Sequence, residues 1–252
     1  FIALEQVMVL PPTAFQDLVE LKNYIGETSN TVIQASARVR LLEGPPRPAW
    51  ASAFGRDEFG LYASLTIWKH TQRFRYIPAG NFMMGSPIDE IGREKDEAAV
   101  AITLTHSFWL AESECTQEFW TQVMLSNPAY HEKLRHPVER VSWQDVQQFM
   151  PLLAKRIQQT RLPCRLPTEA EWEFATRAGS TDRLPGHDTR DGGDLDRIAV
   201  HAGPSTRSSL AVGERLPNRL GLFDTIGNVW EWCQDAYAPY PLVPPSEHYS
   251  NQ

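Results

Sequence analysis

The segment GLFDTIGNVWEWC, close to the C-terminal end of the chain, contains the side chains best suited to chemistry. Asp224 and Glu231 supply carboxylate oxygens, and Gly227 and Asn228 between them allow the backbone to turn so that carbonyl oxygens face inward. Oxygen ligands of this kind suit Ca²⁺, and such a segment can form a calcium loop. In the alternative, Asp224 caps a turn and Glu231 pairs with an arginine such as Arg165.

Two tryptophans flank the second carboxylate of this segment. In an extended segment, Trp230 and Trp232 would both point away from the face that carries Glu231, because side chains alternate with period two. Tryptophan buries a large apolar area, so both indoles are predicted to pack in the core. They would then anchor the metal loop and would not themselves form a ligand site.

The remaining acidic and imidazole groups have simpler explanations. Glu169, Glu171 and Glu173 fall in the first turn of a predicted helix, where a capping box and favourable charge account for them without a catalytic role. The loop HDTRDGGDLD lacks the twelve-residue calcium pattern and is predicted to be solvated. Metal-ligand spacing is also absent among four histidines, His106, His131, His136 and His201.

The three cysteines Cys115, Cys164 and Cys233 are an odd number without a CxxC pair. Neither a disulfide framework nor a zinc knuckle is indicated, and each cysteine is predicted to be a small buried hydrophobic residue. This pattern favours a reducing compartment and predicts a cytoplasmic location.

Composition narrows the range of partners. The 252 residues are 42% hydrophobic and carry a net charge of −7, so neither nucleic acid nor an anionic membrane is an expected partner. No run of 18 apolar residues occurs, and the first residues lack the features of a secretory signal. The sequence starts at Phe1, which suggests a piece of a longer protein, and we expect a protein partner or further domains.

Three helices are predicted to position these groups. The first covers Gln117–Leu125, and the second begins after Ser142, where Pro151 predicts a kink or an early stop. The third lies in PTEAEWEFATRAG, where Thr168 and Glu171 form a capping box. Residues 1–45 are predicted to be an N-terminal helical extension or linker and residues 46–70 a hairpin leading into the main domain. Residues 71–252 are predicted to be the main domain, without its C-terminal end.

Four motifs then identify a family resemblance: YIPAGNFMMGSP, HPVERVSWQDVQQFM, CRLPTEAEWEFATRAG and PNRLGLFDTIGNVWEW. In this order they resemble the formylglycine-generating enzyme family, also called the sulfatase-modifying-factor family. The resemblance implies an α+β, C-type-lectin-like fold with little regular secondary structure and structural calcium. It also implies a calcium ligand set of the Asp224 side chain, the main-chain oxygens of Gly227 and Val229, and the Glu231 carboxylate.

The resemblance leaves the function open among three classes. Active members of the family are copper-dependent oxidases that convert a sulfatase cysteine to formylglycine with two cysteines located after the WEW motif. This sequence ends at PPSEHYSNQ, before that segment, so those cysteines cannot be mapped onto it. We therefore expect a non-catalytic, calcium-braced binding module, of the kind found in bacterial signalling, defence or diversity-generating systems. The alternatives are an oxidase whose catalytic segment is missing and, last, an iron enzyme of the sulfoxide-synthase type.

Overall fold

The structure is a computed structural model, and it describes residues 3–5, 45–90, 92–157, 164–181, 195–200 and 208–240. Contacts divide the chain into two units, Gln6–Pro48 and a larger unit composed of Phe1–Glu5 and Ala49–Gln252. Most of the predicted helical extension or linker 1–45 lies outside the described residues, as does most of the acidic loop HDTRDGGDLD.

Two antiparallel sheets form the larger unit. The described strands are β1 (Ala3–Glu5), β2 (Ala53–Asp57), β3 (Gly60–Ile67), β4 (His70–Ile77), β5 (Gly80–Met84), β6 (Val100–Leu104), β7 (Phe108–Ala111) and β8 (Cys164–Arg165). Six strands form the main sheet in the order β2-β3-β4-β7-β1-β8, and β5 pairs with β6 in the small sheet. Together with a few short helices, this arrangement confirms the predicted α+β class.

Within residues 46–70, for which a hairpin is predicted, β2 and β3 pair antiparallel. Asp57 pairs with Gly60, so Glu58 and Phe59 form a two-residue turn, in which the Phe59 N–H donates to the Asp57 carboxylate at 3.0 Å. Gly60 has a φ of 114°, which favours glycine because a Cβ would be strained there. Because β3 also pairs with β4, the hairpin is part of the main sheet and not only a lead into it.

The first strand differs from the prediction for the N-terminal residues. Leu4 pairs with Trp109 of β7 on one side and with Cys164 of β8 on the other, so β1 lies inside the main sheet. Residues 3–5 were expected in a helical extension. Pairing between strands that are distant in sequence leaves little trace in the local pattern of a three-residue segment.

All three predicted helices are confirmed: α1 (Gln117–Met124), α2 (Trp143–Arg156) and α3 (Glu169–Arg177). The early stop predicted at Pro151 is wrong, since α2 continues to Arg156. Proline removes one backbone hydrogen bond, but the apolar face of α2 remains packed in the core through Phe149 and Leu153. None of the helices in the described ranges is long and apolar enough to cross a membrane.

The hydrophobic core joins the main sheet to α1 and α2. All four residues of β7 are buried, and Trp109 at its centre makes edge contacts with several aromatic rings. Trp120 of α1 stacks on Phe149 of α2 with ring centroids 4.8 Å apart. The segment that follows β7 therefore starts from a buried strand, and it carries Glu114, which contacts the candidate site.

Thr168→Ala is expected to destabilise the protein by about 1 kcal/mol, because the Thr168 hydroxyl accepts the Glu171 N–H at 3.2 Å and caps α3. Urea unfolding followed by circular dichroism measures the change. Thr168→Ser, which keeps the hydroxyl, is the matched control and should retain most of the stability. Equal losses for the two variants would show that the cap does not account for the effect.

Candidate cation-binding loop

Residues 221–233 form an irregular loop whose backbone enters the left-handed region several times. The φ angles are 77° at Gly221, 56° at Asp224, 107° at Gly227 and 63° at Asn228. Glycine lacks a Cβ, and Asp and Asn tolerate the left-handed region better than other residues. The local sequence thus permits positive φ angles that most other residue types would adopt only with backbone strain.

The backbone of Val200 holds the middle of this loop. Its N–H donates to the Ile226 oxygen at 3.2 Å, and its oxygen accepts the Asn228 N–H at 2.9 Å. A Cβ built on Gly227 would lie 2.0 Å from the Val200 oxygen, so only glycine fits at this position. Because the peptide unit is planar and trans, the Gly227 carbonyl points opposite to the Asn228 N–H and hence away from Val200.

Asp224 is buried at the start of this arrangement, with 3% of its surface exposed. Its Oδ2 accepts the Gly213 N–H at 2.7 Å, while its buried Oδ1 has no hydrogen-bond partner within the described chain. Burial raises the pKa of Asp224, and the neighbouring Glu214 carboxylate raises it further. A buried carboxylate oxygen without a donor is costly, and a bound cation would offset that cost.

Glu231 lies at the other end of the predicted ligand set. Its carboxylate accepts the Trp172 Nε1–H at 3.2 Å. Burial raises the pKa of Glu231, and the Asp224 charge adds to the increase. The alternative pairing with Arg165 is not observed in the described residues, where the Arg165 guanidinium binds Glu171 at 2.6 and 2.7 Å.

A third buried carboxylate, Glu114, was not identified from the sequence. It follows β7, and its two oxygens accept hydrogen bonds from Asn228 and Val229. Burial holds the pKa of Glu114 well above its usual value, and the charges of Glu231 and Asp224 raise it further. No hydrophobic periodicity in the surrounding sequence distinguishes Glu114 from a surface glutamate.

The donor set of this loop has the chemistry that Ca²⁺ requires. Asp224 and Glu231 supply hard oxygens, one Asp224 oxygen has no donor among the residues that the structure describes, and the nearby negative charges repel one another. No cluster of three or more His, Cys, Asp or Glu side chains in the described ranges could hold a metal ion. Main-chain oxygens, those of Gly227 and Val229 in the predicted set, would therefore have to complete the coordination.

The tryptophans beside Glu231 do not pack in the core, so that prediction is wrong. The relative exposure of Trp230 is 102% and that of Trp232 is 48%. Trp232 donates its Nε1–H to the Val141 oxygen at 3.0 Å, and both indoles line a groove that includes Val138 and Phe149. The core is already filled by Trp109 and its neighbours, and the loop backbone turns these two side chains outward.

The three cysteines are half-buried free thiols, less enclosed than the predicted buried residues, but they have the predicted unreactive character. Burial raises the pKa of the Cys115 thiol and of the Cys233 thiol to about 12, and it raises the pKa of Cys164. The Cys164 thiol contacts the Met150 sulfur at 3.1 Å. All three thiols are therefore protonated near neutral pH, which disfavours a thiolate nucleophile or metal ligand at these positions.

The glutamates of α3 have structural partners. Glu171 completes the capping box and binds Arg165, and Glu173 accepts the Gly85 N–H at 2.8 Å. Glu169 accepts the Tyr240 hydroxyl at 2.7 Å. The capping explanation holds for Glu171, whereas Glu173 ties α3 to the end of β5, a contact that its sequence position does not indicate.

The comparisons with known proteins agree with the geometry of the fold. The sulfatase-modifying factor enzyme 1-like domain matches residues 68–250. The chain is 36% identical over 115 residues to the formylglycine-generating enzyme of Streptomyces coelicolor, which is 41% of this chain and 33% of that protein. It is 30% identical over 138 residues to the inactive C-alpha-formylglycine-generating enzyme 2 of Bos taurus, which is 47% of this chain and 39% of that protein.

The aligned part thus spans well under half the length of both curated relatives. Among solved structures, the Treponema denticola variable protein 1 superposes with a TM-score of 0.61 and 25% identity, covering 71% of this chain and 78% of that one. The family match includes all four sequence motifs and most of the chain. This chain therefore belongs to the sulfatase-modifying factor enzyme 1-like family and has its C-type-lectin-like α+β fold.

Proposed function

We propose that this chain is a non-catalytic binding module in which a calcium-braced loop presents an aromatic surface to a protein partner. We define the aromatic surface as Trp230 and Trp232 with the adjoining groove. The observation that carries the proposal is the full exposure of Trp230 on a loop whose neighbouring residues are hydrogen-bonded to the body of the domain. Tryptophan is enriched among the residues that dominate binding energy at protein interfaces.

The loop is rigid on both sides of the exposed indole, which favours binding. Val229 donates its N–H to Glu114, and the Trp232 indole donates to Val141. One residue further on, the Cys233 oxygen accepts the Trp143 Nε1–H at 3.1 Å. A preorganised loop loses less conformational entropy on association than a flexible one.

The state of the cysteines supports a non-catalytic role. The family oxidases use a pair of cysteines with copper in a segment after the WEW motif, whereas Cys115, Cys164 and Cys233 do not correspond to that pair and have half-buried, protonated thiols. A related protein of Bos taurus is named an inactive formylglycine-generating enzyme. A copper-dependent oxidase remains the second candidate because the Streptomyces coelicolor enzyme is similar over 115 residues.

Calcium is expected to raise the melting temperature of the protein, and Asp224→Asn is expected to abolish most of that increase. The substitution keeps the shape of the side chain and removes the charge that would bind Ca²⁺. Calcium at about one hundred times its Kd should stabilise the wild type by about 2.7 kcal/mol. Differential scanning calorimetry with calcium and with chelator measures the difference.

Asp235→Asn is the matched control for this calcium prediction. Asp235 lies in the same segment, but its carboxylate accepts the Glu169 N–H at 2.9 Å and is not in the ligand set. Its response to calcium should equal that of the wild type. If Asp224→Asn keeps the full calcium response, the proposed site is wrong.

The partner-binding proposal is tested by site-specific photo-crosslinking in the cells that produce the protein. A photoreactive residue is placed at Trp230 and, as a control, at Trp68, another exposed tryptophan at the turn between β3 and β4. A protein crosslinked only from position 230 is then purified. Trp230→Ala should weaken its binding by about thirtyfold, the loss typical of an interface hot spot, and Trp68→Ala should leave the Kd unchanged.

Absence of a position-specific crosslink, or equal effects of the two alanine variants, would contradict the proposed surface. The oxidase candidate is tested separately with copper, oxygen and a cysteine-containing sulfatase peptide. Mass spectrometry detects formylglycine in the peptide. Turnover would show that the module is catalytic, and we expect none.

A further inference from the structure

The carboxylate of Glu114 lies directly behind the loop and outside the predicted ligand set. Its Oε2 accepts the Asn228 Nδ2–H at 2.6 Å, and its Oε1 accepts the Val229 N–H at 3.2 Å. Only 2% of the surface of Glu114 is exposed. In the described part of the chain, neither Lys nor Arg forms an ion pair with it, so the loop itself supplies its hydrogen-bond donors.

The Asn228 amide is oriented by a third segment. Its Oδ1 accepts the Leu210 N–H at 2.9 Å, which requires its Nδ2 to face Glu114. The main-chain N–H of Asn228 donates to the Val200 oxygen at 2.9 Å. Asn228 is thus held by three separate parts of the chain, although its φ of 63° is unfavourable for most residues.

These bonds determine where the backbone oxygens of the loop point. The Asn228 N–H is directed at Val200, so the Gly227 carbonyl faces the opposite way. The Val229 N–H is directed at Glu114, so the Asn228 carbonyl turns away from Glu114. The main-chain orientation of both peptide units therefore depends on partners that lie outside the loop.

We infer that Glu114 is a positioning residue for the cation loop: it holds the Asn228 side chain and the Val229 N–H. It thereby fixes the position of the segment from Gly227 to Glu231, whose Gly227 and Val229 oxygens would join Asp224 and Glu231 around one cation. This inference rests on the proposed calcium binding. Residues that orient metal ligands without touching the metal usually affect its affinity strongly.

The test exchanges the amide and the carboxylate across the Glu114–Asn228 contact. In Glu114→Gln the new amide can still accept the Val229 N–H, but its NH₂ group faces the Asn228 NH₂ group and the second bond is lost. In Asn228→Asp two carboxylates face each other instead. The double variant restores both bonds, because the new amide at position 114 donates to the new carboxylate at position 228, whose other oxygen accepts the Leu210 N–H.

Calcium affinity is measured by isothermal titration calorimetry on the whole chain, and the melting temperature in chelator is measured in parallel. Glu114→Gln and Asn228→Asp are each expected to raise the calcium Kd by about tenfold or more. The double variant is expected to return to within about threefold of the wild type, because the two substitutions are coupled through one contact. If one single variant fails to fold, the other single variant and the double variant still decide the outcome.

Glu112→Gln is the matched control. Glu112 is a carboxylate two residues earlier with 17% of its side chain exposed, and it pairs with Arg75 and not with the loop side chains. It should lower the melting temperature in chelator and leave the calcium Kd unchanged. If Glu114 had only a structural role, Glu114→Gln would likewise lower the melting temperature in chelator and leave the calcium Kd unchanged.

The outcomes separate this inference from the proposed function. If the wild type binds calcium and Glu114→Gln binds it equally well, the positioning role is wrong while the calcium loop stands. If the wild type does not bind calcium, the calcium part of the proposed function is wrong and the positioning role is overturned with it. If both single variants and the double variant bind calcium weakly, restoring the contact between positions 114 and 228 does not restore affinity. That result would also contradict the positioning role.

Discussion

Gly227→Ala is expected to destabilise the protein by about 4 kcal/mol, through the combined costs of backbone strain and a steric clash. The φ of 107° is one that L-residues rarely adopt. A Cβ would also lie 2.0 Å from the Val200 oxygen, which belongs to backbone and cannot rotate away. Because the same contact orients the Gly227 carbonyl, the variant is also expected to lose its calcium response.

Gly60→Ala is the matched control for this substitution. Its φ of 114° is similar, but no atom lies within 4 Å of the position that a Cβ would occupy. Only the backbone cost remains, about 1 to 2 kcal/mol. Chemical unfolding with and without calcium distinguishes the two contributions, and similar losses at Gly60 and Gly227 would show that the Val200 clash is relieved by movement of the loop.

Arg75→Met is expected to destabilise the protein by about 3 to 5 kcal/mol, because it removes one partner from a buried ion-pair cluster. Only 3% of the Arg75 side chain is exposed. Its Nη1 binds both oxygens of Asp57 at 2.7 and 2.8 Å, and its Nε lies 2.8 Å from Glu112. The Nε contact has ion-pair distance without hydrogen-bond alignment, so its energy is mainly electrostatic.

Arg73→Met provides the comparison within the same strand. The Arg73 side chain is 42% exposed, and its nitrogens lie 3.6 and 3.7 Å from Asp57 and Glu112, so its loss should cost less than about 1 kcal/mol. The double variant Arg75→Met with Glu112→Gln should recover part of the Arg75 loss, because one buried charge is no longer uncompensated. Urea unfolding measures all three free energies.

The Arg75 cluster also bears on the candidate site, because it contacts the beginning of the loop. A Cβ on Gly221 would lie 2.8 Å from the Arg75 Nε. The Phe223 N–H donates to the main-chain oxygen of Glu112 at 2.7 Å. The loop is therefore attached to β4 and to the segment after β7 before it reaches Asp224.

Local chemistry made several elements predictable from sequence. The three helices begin at Thr116, Ser142 and Thr168, whose side chains satisfy backbone N–H groups within three residues, so the signal is contained in a short segment. The β2–β3 turn is likewise determined by adjacent residues, including a glycine with positive φ. The family was recognisable because its motifs occur in a fixed order along the chain.

The tertiary structure decided the features that depend on distant partners. Trp230 is exposed because the core is already occupied, Glu114 is buried because β7 carries the following segment beneath the loop, and α2 passes Pro151 because its apolar face is packed. The sequence by itself determined which oxygen donors the loop could offer. Only the fold decided their surroundings, since burial and the direction of a peptide unit depend on contacts made by Val200 and Glu114 from other parts of the chain.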